Sequence, residues 1–393
     1  MRAQQMTDNI SRRLFLRGTF ATASAVAASG LISLSGNALA AHHSAPIVNY
    51  GPTPGIAKLN ANENPYGPSP DAMKAMMQAS AKGAYYAAEP YKVLVEMIAE
   101  KNNLSKNQVS LSSGSSGVLS YAAIAASKKG KILGPDLFWD TTAKAPQKMG
   151  APKIKRIAKT KDLSIDLDAL YAAIEDDVAM VHVTNPNNPT GRLLDADKLR
   201  AFCIKASKKT LVLVDEAYNE VTDMPEKNSM VSLVREGHNV IIAKTFSKIY
   251  GLAGMRVGYM LASEENTNNI NRFSLGGYAM NQAGLAAAIA SYNDEAFLKM
   301  SKSKIVEARE MVFDAVKANG LIALPSSTNF VFVDLGQGNA EIFRQKMAQQ
   351  NVLIRGIYQD YNNWSRVSMG LIPDVQKYVN ALPKALEQTL ALS

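Results

Sequence analysis

One lysine in the stretch TFSKIYGLAGMRVG follows the apolar run NVIIA, which predicts a buried strand. Lys248 is either a solvated loop lysine or a lysine held in a pocket, where burial lowers its pKa and makes the amine a nucleophile toward carbonyl groups. Arg256 and the hydroxyls of Thr245 and Ser247 could hold an anion beside it, with glycines that let the backbone approach closely. This combination is typical of a site for a phosphate-bearing aldehyde.

A candidate phosphate site lies between another apolar run and a helical pattern. Gly114, Ser115 and Ser116 follow the run VSLS and precede the pattern VLSYAA. Backbone N–H groups at a helix start favour a phosphate, although serine and glycine also cap helices that bind nothing. In an open α/β sheet, ligands bind beyond the carboxyl ends of the strands, so both readings stay open here.

Two further predicted strands end in polar residues. The segment VTNPNNPTG contains Asn188, whose amide either donates to a ring oxygen or belongs to a plain loop. The run TLVLVDEAY ends with Asp215, which either caps the next helix or pairs with a protonated ring nitrogen, and Tyr218 could donate to a phenolate oxygen. Each of five features thus follows a strand end: a phosphate cradle, an amide, a carboxylate, a phenol and a lysine. All five together are far less likely to occur by chance than any one of them.

The elements that must position these residues alternate between strand and helix over residues 91–290. The strand runs are mostly apolar throughout, as parallel strands covered on both faces are: QVSLS, KILG, AMVHVT, TLVLVD, NVIIAKTFS and RVGYML. They predict a large α/β, doubly wound domain. Residues 291–393 predict a smaller α+β domain, and residues 41–90 a Pro/Gly/Asn-rich N-terminal arm.

Four motifs of this chain carry a resemblance: LNANENPYGPSP, NPNNPTG, VDEAY and TFSKIYGLAGMRVG. They resemble the fold-type I pyridoxal-phosphate enzymes, class I/II aminotransferases, specifically the branch similar to histidinol-phosphate aminotransferase. The resemblance extends over nearly all of residues 50–393. It implies the α/β PLP-dependent transferase fold type I, with a large, mostly parallel sheet domain and a smaller α+β domain, and pyridoxal 5′-phosphate as the cofactor.

The resemblance also implies a role for each matched position. Lys248, Asp215 and Tyr218 would be catalytic: Lys248 would bind the cofactor covalently, and Asp215 would pair with its pyridine nitrogen. Arg366, with Arg355 and Asn188 beside it, would bind the substrate's anionic group. The remaining cofactor contacts would come from Gly114, Ser115, Ser116, Trp139, Asn188, Thr245, Ser247, Arg256 and, from a partner subunit in a homodimer, Tyr86. No metal site is predicted.

The implied activity is transfer of an amino group between an amino acid, or a related amine, and a 2-keto acid by a ping-pong mechanism. A pyridoxal-phosphate lyase or decarboxylase shares the same motifs, and a cofactor-binding protein without turnover is a further alternative. Histidinol phosphate is the substrate of the branch, but only IVNYGPTPGIAK precedes LNANEN where that branch has a longer arm. We therefore predict an amino-acid substrate in preference to histidinol phosphate.

Composition excludes several classes of protein. The 393 residues are 47% hydrophobic and 20% charged, which is typical of a globular chain. The net charge of +9 belongs in part to the arginines of residues 1–40, and the other lysines are scattered without interleaved aromatic residues, so we predict no nucleic-acid partner. The single Cys203 lies in a helical pattern and is predicted to be a packed core thiol.

Residues 1–40 are predicted to be a signal peptide of the twin-arginine type. Arg12 and Arg13 precede Leu-Phe-Leu and a mildly apolar run, which ends before the small-residue site Ala38-Leu39-Ala40. The run is too short and too rich in small residues for a stable membrane span. An ordinary secretory signal with a chance arginine pair is the alternative. We expect export by the twin-arginine machinery and a periplasmic location.

Overall fold

Short, mostly buried strands build two main sheets. The computed structural model describes residues 48–393. Its strands are β1 (Ala57–Lys58), β2 (Val109–Ser112), β3 (Lys131–Pro135), β4 (Lys155–Ile157), β5 (Val178–Thr184), β6 (Leu211–Asp215), β7 (Val240–Thr245), β8 (Gly258–Ala262), β9 (Ile322–Ala323), β10 (Phe330–Asp334), β11 (Val352–Leu353) and β12 (Trp364–Ser368).

Several helices begin at side chains that accept hydrogen bonds from free N–H groups of the first turn, as Ser69, Asp195 and Asn339 do. They are α1 (Pro70–Ser80), α2 (Ala88–Lys101), α3 (Ser115–Ser127), α4 (Leu167–Ala172), α5 (Ala196–Ala206), α6 (Pro225–Asn228), α7 (Val231–Arg235), α8 (Glu264–Asn271), α9 (Gln282–Ser291), α10 (Glu295–Ala318), α11 (Ala340–Ala348) and α12 (Ile372–Leu390).

The large sheet has seven strands in the order β2-β8-β7-β6-β5-β3-β4. Strand β8 runs antiparallel to its neighbours β2 and β7, and the remaining pairs are parallel. A second, antiparallel sheet has the order β12-β10-β9, and β1 pairs with β11 in parallel. The chain therefore combines a mostly parallel sheet from residues 109–262 with a small antiparallel sheet from residues 322–368.

The centre of the large sheet is fully buried, which explains its apolar sequence runs. Val212, Leu213 and Val214 of β6 have no exposed surface, and Ile241 and Ile242 of β7 have none either. Successive side chains of a strand point to opposite faces, so both faces must be covered. Apolar burial of this extent is the main driving force for folding.

The sequence predicted six of the seven strands of the large sheet, and the α/β architecture is confirmed. It missed β4, because this edge strand is only three residues long and two of them, Lys155 and Arg156, are charged. Cys203 is buried in α5, and burial raises its pKa to about 12, as befits a core thiol.

Several predictions fall outside what the structure describes. The signal peptide, with its arginine pair and its cleavage site, lies outside residues 48–393. The boundary between a large and a small domain at residues 290 and 291 stays a prediction; residues Tyr50–Ser393 form one compact unit. Between residues 48 and 393, no helix is both long enough and apolar enough to cross a bilayer.

Candidate active site

The polar strand ends meet at one edge of the large sheet. Because β5, β6 and β7 are parallel, their carboxyl ends lie at the same edge, and the antiparallel β8 begins there. A cavity of about 640 Å³ opens at this edge. Twelve of the predicted site residues line it: Ser115, Ser116, Trp139, Asn188, Asp215, Tyr218, Thr245, Ser247, Lys248, Arg256, Arg355 and Arg366.

Lys248 follows β7 and points into this cavity, so it is not a solvated loop lysine. Its Nζ donates a hydrogen bond to the backbone oxygen of Asn62 at 3.0 Å. Burial, helped by the positive charge of Arg366, lowers the pKa of Lys248 to about 8. A sizeable fraction of the amine is therefore neutral near physiological pH, and a neutral amine is the nucleophilic form.

Asp215 ends β6 on the floor of the cavity and is only 3% exposed. Its carboxylate accepts a hydrogen bond from the Ala217 N–H at 3.2 Å. Burial raises the pKa of Asp215 to about 7, since this hydrogen bond and the charge of Lys248 compensate only in part. The positive charge near Asp215 is therefore too weak to offset the burial of its carboxylate. A protonated ring nitrogen would supply the missing charge.

An anion cradle forms where α3 begins. Gly114 is the N-cap of α3 and has a φ of +71°, a conformation that suits glycine. A Cβ at this position would lie 2.2 Å from Nη2 of Arg256, so only glycine allows the arginine this close. The N–H groups of Ser115 and Ser116 at the helix start, with their partial positive charge, then lie near a guanidinium.

Arg256 precedes β8 in the left-handed conformation, with φ +55°. Its guanidinium donates to the backbone oxygens of Ala253 at 2.8 Å and Ser113 at 3.3 Å, and to Oγ of Ser247 at 3.4 Å. Thr245 donates to the same Ser247 hydroxyl at 2.9 Å. The arginine, the two hydroxyls and the first residues of α3 thus line one cavity, and this combination suits a phosphate dianion.

Tyr218 is held by two amides. Nδ2 of Asn62 donates to its hydroxyl oxygen at 2.9 Å, and Nδ2 of Asn188 does so at 3.3 Å. Burial raises the pKa of Tyr218 well above its usual value, so the phenol stays protonated and keeps its own O–H for donation. Asn188 and Tyr218 can therefore both reach an oxygen of a ring placed over Asp215.

Arg366 extends from β12 into the cavity and is 5% exposed. It donates to Oδ1 of Asn188 at 3.0 Å and to the backbone oxygen of Asn60 at 3.1 Å. Its Cζ lies 5.3 Å from the ring centres of Phe330 and Tyr358. Both hydrogen-bond acceptors are neutral, so neither compensates the positive charge of this buried guanidinium. The charge is therefore available to bind an anion.

Arg355 stands beside Arg366. The two residues form an isolated antiparallel bridge, in which the Arg355 N–H donates to the Arg366 oxygen at 3.0 Å. The Cζ of Arg355 also lies 5.3 Å from the centre of the Tyr358 ring. Both arginines therefore share one tyrosine ring and line the same cavity, as expected for an anion-binding pair.

Two predicted residues stand apart from the lining. Gly114 lies behind the cavity wall, where it makes room for Arg256. Tyr86 is 78% exposed, and its ring packs edge to face against Tyr278 at 5.4 Å. Its predicted contact is with a second subunit and stays a prediction.

The sequence analysis missed several residues that complete the site. Asn62 holds both Tyr218 and, through its backbone oxygen, Lys248. Its only sequence signal was its place inside the motif LNANEN. Tyr358, which contacts both arginines, lies in the loop IYQDYNN, and no periodicity or motif marks it.

Comparison with known proteins shows the family. The family described as Aminotransferase class I and II matches residues 54–382. The chain belongs to this family. The fold type I architecture, the transaminase activity and the pyridoxal 5′-phosphate cofactor predicted from the sequence are thereby confirmed.

Individual relatives carry a narrower name. The histidinol-phosphate aminotransferase 1 of Dechloromonas aromatica (strain RCB) is 35% identical over 338 residues, 85% of this chain and 91% of the relative. The histidinol-phosphate aminotransferase of Moorella thermoacetica (strain ATCC 39073 / JCM 9320) is 34% identical over 334 residues, 84% of this chain and 86% of the relative. The crystal structure of the Sinorhizobium meliloti histidinol-phosphate aminotransferase in complex with pyridoxal-5′-phosphate matches with a TM-score of 0.79 at 29% identity, covering 86% of this chain and 92% of that one.

The residues of the cavity fit this cofactor. Asp215, whose buried carboxylate is not fully compensated, suits a protonated pyridine nitrogen. Lys248, whose pKa is lowered, suits an aldehyde. The cradle around Arg256 suits the phosphate, and Tyr218 with Asn188 suits the phenolic oxygen. Each part of the cofactor therefore meets a group of complementary chemistry.

The raised pKa of Asp215 predicts a pH-dependent stability of the cofactor-free protein. The pKa of this carboxyl is about 7 in the folded state, against the ordinary value of 3.8 in the unfolded chain. Between these values the folded state binds more protons, so the free energy of unfolding falls as the pH rises. Asp215→Asn removes the titrating group and therefore this loss. The free energy of unfolding of the variant minus that of wild type should be about 2 kcal/mol more positive at pH 8 than at pH 5.

Urea unfolding of the cofactor-free proteins at both pH values measures this difference. Asp223→Asn is the matched control, because the Asp223 side chain is 93% exposed and its substitution should act equally at both pH values. A relative stability of Asp215→Asn that does not change with pH would contradict the assignment of a raised pKa.

Proposed function

We propose that the substrates are an α-amino acid and a 2-keto acid, with Arg366 binding the carboxylate that they share. The observation that carries this proposal is the buried, fully charged guanidinium of Arg366, whose protein acceptors, Asn188 and Asn60, are both neutral. A charge this deeply buried is costly unless it meets an anion. The substrate carboxylate is that anion, and its binding fixes the Cα–H bond near Lys248.

The chain's residues divide the chemistry among them. Pyridoxal 5′-phosphate supplies the electron sink that stabilises negative charge at the substrate Cα. Asp215 keeps the ring nitrogen protonated, and Tyr218 donates to the phenolic oxygen. Lys248, whose amine lies in the same cavity, would serve as the general base and acid that moves the proton away from the substrate Cα.

Histidinol phosphate is a second candidate substrate. Relatives 34–35% identical to this chain are named histidinol-phosphate aminotransferases. The paired guanidiniums of Arg355 and Arg366 could share one phosphate dianion as readily as they bind a carboxylate. The two candidates differ in whether the anion lies on the carbon that bears the amine, so substrate tests separate them.

A single half-reaction tests transamination against the other chemistries of the cofactor. Enzyme loaded with cofactor and given an amino acid alone should release one 2-keto acid per active site and then stop, because the amino group stays on the enzyme. A 2-keto acid added next should recover the amino group as a new amino acid. Chromatography of the products after each step measures both yields.

The same assay distinguishes the alternatives. Continuous release of ammonia or carbon dioxide from the amino acid alone would show a lyase or decarboxylase and contradict the proposal. Turnover of histidinol phosphate, with no yield from a panel of acidic, aromatic and aliphatic amino acids, would favour the second candidate. A protein that binds the cofactor but reacts with none of these amines would be a binding protein.

We further propose a homodimer in which Tyr86 of the partner subunit reaches the cofactor phosphate. Tyr85, the chain neighbour of Tyr86, and Tyr278, whose ring contacts that of Tyr86, are also strongly exposed. Exposed patches of large apolar side chains mark protein interfaces. The phosphate cradle and Tyr86 lie apart in one chain, so a shared site needs a second copy. This arrangement follows from the resemblance and from the exposed patch.

Hybrid dimers test the shared site. Tyr86→Ala and Lys248→Ala should each lose most activity, but a hybrid of the two has one site with Lys248 and the partner subunit's Tyr86 both intact. Co-expression with two different affinity tags isolates that hybrid, which should recover activity that neither parent shows. An isolated hybrid without activity, or an active wild-type monomer in sedimentation at assay concentration, would contradict a shared site.

We also propose that the chain is exported in its folded state to the periplasm. The support is the pair Arg12 and Arg13, followed by the apolar run and the site Ala38-Leu39-Ala40. Replacing both arginines by lysine preserves the charge, so only a route that reads arginine should fail and leave the protein in the cytoplasm. Fractionation of cells measures this, and unchanged delivery of the double variant would contradict twin-arginine export.

A further inference from the structure

A second buried lysine lies four residues before Lys248 but does not line the cavity. Lys244 is in β7, its side chain is 7% exposed, and its Nζ lies 2.9 Å from a carboxylate oxygen of Glu216 and 2.7 Å from one of Glu220. Burial alone would lower its pKa, but the two carboxylates outweigh burial and raise it. Lys244 is therefore a permanent cation in contact with two carboxylates.

These three charges lie on the face of the sheet opposite the cofactor cavity. Side chains alternate along a strand, so Lys244 points away from Thr245, which lines the cavity. Asp215 is in register with Ala243, and Glu216, the next residue, lies on the other face with Lys244. The ion cluster is thus directly behind Asp215.

The pair of Lys244 and Glu216 is the most deeply buried part of the cluster, with side chains 7% and 0% exposed. Phe246, which follows β7, packs against the rings of Tyr250, Tyr259 and Tyr292. In such a setting the attraction between opposite charges is little screened by water. Removing the cation would leave the buried carboxylate of Glu216 without compensation.

The two carboxylates bracket the turn that carries the catalytic groups. Glu216 follows Asp215, Glu220 lies in the 3-10 turn Asn219–Val221, and Tyr218 lies between them. Glu216 also accepts hydrogen bonds from Oγ of Ser229 and N–H of Met230, both at 2.7 Å. One end of the turn is thereby anchored to the sheet and to the segment before α7.

We propose that Lys244 is a positioning residue for the cofactor: by binding Glu216 and Glu220 behind the sheet, it fixes Asp215 and Tyr218 relative to Lys248. Because Lys244 and Lys248 belong to one continuous segment, β7 and the residues that follow it, the same backbone places the covalent attachment point and the ring contacts. The inference rests on the proposed function in taking this cavity as the catalytic cofactor site.

Substitutions of the lysine test this role. Lys244→Met keeps the length of the side chain and removes the charge; it should weaken the binding of pyridoxal 5′-phosphate to cofactor-free protein by roughly tenfold or more. It should also reduce the visible circular dichroism per bound cofactor, because that signal depends on how the ring is held. Lys244→Arg keeps the charge and should restore both values to within roughly threefold of wild type.

The chain offers a matched control in Lys302. Its Nζ donates to the Thr222 oxygen at 2.6 Å and lies 3.3 Å from Asp223, so it contacts the same region from its exposed side. Lys302→Met should leave cofactor affinity and circular dichroism unchanged. If Lys244→Met does not fold, Glu220→Gln, which removes one of the two ion pairs, is measured in its place and should show the same losses in weaker form.

The outcome separates positioning from simple stabilisation. A lower melting temperature of Lys244→Met or Glu220→Gln, with wild-type affinity and wild-type circular dichroism per bound cofactor, would overturn the proposal. Neither readout requires an amino donor. Failure of the wild-type enzyme in the half-reaction would therefore count against the proposed function and leave this inference standing.

Discussion

The buried carboxylate of Asp215 is the constraint on which the rest of the site depends. A carboxylate at the end of a central strand carries a large desolvation cost, and the hydrogen bond from Ala217 offsets only part of it. A protonated ring nitrogen bound at this point would bring the cation that offsets this cost. In the function proposed above, Asp215 would keep that nitrogen protonated, and a protonated ring is the form that accepts electrons from the substrate.

The remaining groups are arranged around that acid by the topology of the large sheet. Parallel strands deliver Asn188, Asp215 and Lys248 to one edge, and the reversed strand β8 delivers Arg256 there from its beginning. The small antiparallel sheet adds Arg366 from β12. The residues proposed to hold the cofactor thus come mainly from the large sheet, and the proposed anion site for the substrate comes from the small one.

Much of this arrangement could be predicted from the sequence, because the signals are local. Apolar runs mark the buried strands, and polar residues directly after them mark the sheet edge, as at Asp215. Asn62 and Tyr358 could not be found this way, since distant packing of the arm and of the loop after β11 brings them to the cavity. Lys244 interrupts an apolar run, and only the contact with Glu216 and Glu220 explains it.

The central claim is that Lys248 is the residue to which the cofactor attaches in this cavity. Borohydride reduction of the protein loaded with pyridoxal 5′-phosphate, followed by mass spectrometry of its peptides, measures the attachment site directly. We predict a single modified lysine, Lys248, in wild type and no modified lysine in Lys248→Ala. Modification of another lysine in the wild-type protein, or a label that persists in Lys248→Ala, would contradict this account.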